Sequence, residues 1–142
     1  PWQTMANLLE DLAFIRELQP QMIGIGPFIP HHATPFKNYP AGTLEQTLTL
    51  LSVLRLMFPK VLLPATTALG TIVPNGRELG ILAGANVVMP NLSPADVRQN
   101  YLLYDNKLCS GAEAAEAKND LAARLHSIGY EIAEGRGDYK ES

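Results

Sequence analysis

At 142 residues, 46% apolar and 18% charged, the chain has material for one domain with a real core and lies far from disordered compositions. A net charge of −3 with eleven scattered Lys and Arg offers no basic footprint for nucleic acid, and no apolar run is long enough to span a bilayer. The single cysteine, Cys109, excludes an internal disulfide, fits a reducing, cytoplasmic setting, and is too few thiolates for an iron–sulfur cluster held by this chain alone. Because the sequence starts at Pro1, it is expected to be a piece of a longer protein.

In chain order, Thr4 can cap a first helix whose apolar positions Met5, Leu8, Leu9, Leu12 and Ile15 share a face. The run from Met22 to Pro27 predicts a short buried strand, followed by a loop rich in Pro and His. Thr43 with Gln46 forms a capping box opening a second helix, with Leu44, Leu48, Leu51 and Leu54 as its stripe and Pro59 as its stop. A second strand is predicted over Val61–Ala65. Asn75 and Glu78 start a third helix through about Ala83, with Gly84 placed to end it. Asn86–Met89 predicts a third strand, Ser93-Pro94 the start of another helix, and Ser110 with Glu113 the start of the last, which stops at Gly129. The tail after Glu134 is polar and expected to be mobile.

This alternation predicts an α/β fold with a parallel sheet, whose continuous apolar strands are covered on both faces. Three strands alone leave an open edge, so the chain is expected to be the last part of a barrel or a small sheet that dimerises. In either case ligands gather at the carboxyl ends of the strands. There the chain places Gly24 and Gly26 two apart on one strand face with Met22. Such glycines either relieve crowding or let a flat ligand lie against backbone. Thr66 and Thr67 follow the second strand and can donate hydroxyls to a polar ligand, or bond local backbone as threonines usually do. After the third strand come Met89 and then Tyr101 and Tyr104, three apart on one helical face, fit either to hold a ligand or to pack. His31 and His32 have no supporting ligand pattern, so no metal site is expected. Glu78 and Asp96 read as helix-start residues, and no side chain stands out as catalytic.

Three strings are more specific together than any motif: Met22–His31 (MIGIGPFIPH), Pro64–Pro74 (PATTALGTIVP) with Gly76-Arg77-Glu78, and Ala83–Asn91 (AGANVVMPN). They resemble the later strands of the radical S-adenosylmethionine enzymes of the iron-iron hydrogenase maturase and biotin synthase-like type, over about residues 1–104. The resemblance implies the carboxy-terminal part of a (β/α)8 TIM-type barrel over 1–109, then a carboxy-terminal helix and tail over 110–142. It implies S-adenosylmethionine near Met22, Gly24, Gly26, Pro27 and Ile29, with Tyr101 closing over it. Thr66, Thr67, Met89 and Tyr104 would then line the cavity for a small-molecule substrate.

A 4Fe-4S cluster, held in such enzymes by a CxxxCxxC loop, would have to come from the amino-terminal half of the same barrel. The chain alone is therefore expected to be inactive. Implied partners are that half and other hydrogenase maturation proteins, with no nucleic acid and no membrane. Sulfur insertion, as in biotin synthase, and a methylornithine synthase-like rearrangement are the alternative chemistries. A small-ligand-binding or assembly module is the alternative without catalysis.

Overall fold

The computed structural model describes residues 2–90, 97 and 114–139. Helix α1 (Met5–Leu18) opens with a complete capping box: the Thr4 hydroxyl accepts from Asn7 N, and the Asn7 side chain accepts from Thr4 N at 3.0 Å. It ends where Gln19 turns left-handed, at φ 49°, ahead of Pro20. Only half of its predicted stripe packs. Leu12 and Ile15 lie against the core, whereas Met5 and Leu9 stay exposed and no residue of the helix is fully buried.

The segment after the first strand position forms a compact loop. Gly42 N donates to Phe28 O at 2.8 Å and closes its base, and Trp2, Phe36 and Tyr39 meet edge to face above it. Helix α2 (Leu44–Met57) follows. The Thr43 hydroxyl accepts from Gln46 N at 3.2 Å, the forward half of the predicted box. Leu51 and Leu54 are fully buried, and Leu44 and Leu48 are partly so.

Next come β1 (Pro64–Ala65), α3 (Thr67–Ile72), α4 (Gly76–Leu82) and β2 (Val87–Val88). Helix α3 is not among the helices that the sequence predicts. Its six residues are too few to show helical periodicity, and two threonines open it. Gly84 ends α4 at φ 116°, a conformation open to glycine, and a β-carbon there would meet Arg55 Cβ at 2.7 Å. Arg55 draws the turns at this end of the strands together. Its Nε donates to Gly84 O at 2.8 Å and its Nη1 to Phe58 O and Pro59 O. Burial pushes this guanidinium below its ordinary range.

Strands β1 and β2 run parallel in the register Pro64 to Val87 and Ala65 to Val88. Asn86 locks this register, since its backbone N–H donates to Leu63 O and its Oδ1 accepts from Leu63 N at 2.8 Å. On the other side of β1 the predicted first strand contracts to a single parallel bridge, Met22 to Leu62. Leu62 N donates to Gln21 O and Ile23 N to Leu62 O, but the next donor in that ladder would be Pro64, which has no N–H. The result is a mixed helix and sheet structure with a small parallel sheet. Its core gathers Ile23, Leu51, Leu54, Leu63, Leu69 and Ile81.

Helix α5 (Ala114–Ser127) buries Leu121 and Leu125 in the same core and ends ahead of Gly129, as predicted. The predicted start of this helix near Ser110, the helix after Ser93-Pro94, and Cys109 lie outside the described residues. Among the described residues no helix is long and apolar enough to cross a membrane.

Candidate functional site

The parallel register brings three of the predicted residues to one level. Met22 opposes Leu62, so four residues on in each segment Gly26 opposes Thr66. Ala65 opposes Val88, so one residue on Thr66 opposes Met89. The closeness of the first pair is direct: a β-carbon at Gly26 would stand 2.9 Å from Thr66 Oγ1. Gly26, Thr66 and Met89 thus mark the carboxyl ends of three parallel segments, the end where ligands bind in parallel α/β sheets.

Exposure alternates along the first segment as a period of two requires. Met22, Gly24 and Gly26 are exposed, while Ile23 is buried and Ile25 half-buried. Crowding does not explain Gly24, since a β-carbon there would meet nothing within 4 Å. Both glycines also line a half-open cleft of about 480 Å³ between this segment, α1 and α2, with Gln3 and Asp11 joined at 2.8 Å beside it. Pro27 and Ile29 are half-buried just beyond, where the closed loop begins. Tyr101 and Tyr104 lie outside the described residues.

Thr66 sits at the N-cap of α3, yet its hydroxyl makes no capping bond and is buried without a hydrogen-bond partner. Such an atom costs about 1–3 kcal/mol unless something bonds it. Thr67 is the first residue of α3, and its hydroxyl accepts from Arg77 Nη2 at 3.3 Å. Nothing in the sequence marks Arg77 for this role, because a partner ten residues away across a helical turn leaves no local signature.

Glu78 starts α4 as predicted, but it does more. It is buried and forms a two-pronged ion pair with Arg124 of α5: Nε donates to Oε1 and Nη2 to Oε2, the latter at 2.9 Å. Arg124 Nη2 also donates to Pro74 O.

No family model matches the chain. It is 49% identical over 109 residues to the [FeFe] hydrogenase maturase subunit HydE of Thermotoga maritima, covering 77% of this chain and 31% of that protein. The chain is thus similar to part of a radical S-adenosylmethionine maturase.

Two 3-methylornithine synthases, also of that family, are similar as well. That of Methanosarcina barkeri is 37% identical over 89 residues, covering 63% of this chain and 25% of the relative. That of Methanosarcina acetivorans is 28% identical over 127 residues, covering 89% and 35%. The chain spans about a third of the length of these relatives.

Likeness to radical S-adenosylmethionine enzymes implies two groups, and the residues present fit one of them. Open glycine backbone at Gly24 and Gly26, beside an unbonded hydroxyl at Thr66, suits a ligand with a flat face and polar edges. The cluster finds no such fit. One cysteine is fewer than a 4Fe-4S cluster needs, and the described residues hold no group of three or more His, Cys, Asp or Glu that could bind a metal. His31 and His32 instead stack on each other, centroids 4.4 Å apart, and His31 Nδ1 accepts from Ala33 N at 3.1 Å.

Proposed function

We propose that this chain is the cofactor- and substrate-binding part of a radical S-adenosylmethionine enzyme that matures the active site of iron-iron hydrogenase. The observation that carries the reading is the 49% identity to the hydrogenase maturase over 109 residues, 77% of this chain. In this reading residues 1–109 are the last part of a (β/α)8 barrel and 110–142 its carboxy-terminal helix and tail. Met22, Gly24, Gly26, Pro27 and Ile29 receive the adenine and ribose of S-adenosylmethionine, with Tyr101 over them. Thr66, Thr67, Met89 and Tyr104 line the substrate cavity.

S-adenosylmethionine held by these residues would supply the radical chemistry of such enzymes. The work of these residues is to hold reactants in register and to keep out water and stray hydrogen donors. Hydroxyls and backbone suit that work, since they orient a polar ligand without themselves exchanging protons during the reaction. The cluster ligands belong to residues other than these, so the chain by itself is inactive and works with the amino-terminal half of the barrel.

The test is the full-length protein, anaerobically reconstituted and reduced. It is expected to release 5′-deoxyadenosine from S-adenosylmethionine and to activate iron-iron hydrogenase in an extract lacking the maturase. A cluster-loaded protein that does neither overturns the reading. The 37% identity to a 3-methylornithine synthase favours a carbon-skeleton rearrangement as the second reading. Cleavage of S-adenosylmethionine without hydrogenase activation would turn the assignment that way.

A further inference from the structure

Arg77 occupies the first turn of α4, where a cation faces the positive end of the helix dipole. Its neighbour Glu78 turns to α5 and is engaged there by Arg124. Arg77 reaches back across ten residues and donates from Nη2 to the Thr67 hydroxyl, at 3.3 Å.

The nature of the donor matters. A guanidinium has five N–H groups and no acceptor, so an oxygen that bonds it can only be the acceptor in that bond. The one proton of the Thr67 hydroxyl is therefore left to point elsewhere. An amide or hydroxyl partner would leave both directions open, and the Thr67 proton could turn inward. The adjoining Thr66 hydroxyl is likewise uncommitted, having neither a capping bond nor another partner.

We infer that Arg77 is a positioning residue, which by donating to Thr67 Oγ1 makes that hydroxyl an obligate donor toward whatever lies at the carboxyl end of β1. The pair Thr66 and Thr67 then offers two O–H donors side by side and selects a ligand group rich in acceptors, such as a carboxylate, over an ammonium or amide N–H. This rests on the reading of that end of the sheet as the substrate cavity. It adds a residue that acts through Thr67 without touching ligand.

The experiment is done in the full-length protein and reads hydrogenase activation per 5′-deoxyadenosine released, a coupling ratio that general misfolding leaves unmoved. In Arg77→Gln and Arg77→Met the ratio is expected to fall about tenfold, the size of one hydrogen bond to a charged group. Arg77→Lys, which also donates only, is expected to restore much of it, although Gln has more hydrogen-bonding capacity. Adding Arg77→Met to Thr67→Val is expected to cost nothing further, because Arg77 acts only through that hydroxyl. An unchanged ratio in Arg77→Met, equal rescue by Gln and Lys, or additive losses in the double variant would each overturn the inference. Failure of the unmodified protein to activate hydrogenase would instead bring down the proposed function.

Discussion

Gly26 has no side chain, and the space one would fill belongs to Thr66. A methyl group there meets Thr66 Oγ1 at 2.9 Å and forces the threonine or the segment to shift. Gly26→Ala is expected to destabilise the full-length protein by about 1–3 kcal/mol, as overpacking does, and to weaken S-adenosylmethionine binding. Gly24→Ala separates the two effects. With nothing within 4 Å, it is expected to leave thermal stability unchanged or slightly raised, while calorimetric titration shows weaker binding of the cofactor. Wild-type affinity in Gly24→Ala would mean that no ligand lies against that backbone.

Helices α4 and α5 are 31 residues apart in sequence, from Leu82 to Ala114 less one, and are fastened by one ion pair. Glu78 is buried, and the Arg124 side chain keeps 35% of its surface exposed, so solvent screens part of the attraction. Arg124→Met is expected to cost about 1–3 kcal/mol by leaving the Glu78 carboxylate and Pro74 carbonyl short of a donor. Hydrogen exchange should speed up first in α5, before the core around Leu51 and Leu63 opens. Uniform acceleration across the chain would show that the pair does not act as a local fastening.

This scale is also where the sequence was most and least legible. Capping at Thr4 and Thr43, the stops at Pro59 and Gly84, and the three strand positions all followed from local chemistry. The contraction of the first strand did not, because it depends on which neighbour Pro64 faces. Nor did α3, whose six residues are too short for a period. At the site, the positions of Gly26, Thr66 and Met89 followed from strand ends, while Arg77 and Arg124 act across the fold and leave no mark in spacing.

At the scale of the whole molecule, much apolar surface has no neighbour among the described residues. Leu56 is 82% exposed, and Met5, Leu9, Phe14 and Leu18 open α1 to solvent on a helix that buries nothing completely. Met5 and Leu9 lie on one side of α1 and Phe14 and Leu18 on the other, so a covering partner would meet more than one face. With the chain spanning between a quarter and about a third of its relatives' length, the proposed partner is the rest of the barrel. The 142-residue chain made by itself is expected to bind a hydrophobic dye and self-associate on size exclusion. A monodisperse monomer that binds no dye would count against the barrel and favour a free-standing binding module.

Pro64 ends the backbone ladder beneath the site. Backbone rungs hold neighbouring strands about 4.8 Å apart, but Pro64 cannot supply the rung above Leu62. At the level of the site Thr66 instead stands in the space beside Gly26. A ligand edge that bonds the Thr66 hydroxyl there would meet a side chain and glycine backbone, and would compete with none of the rungs below.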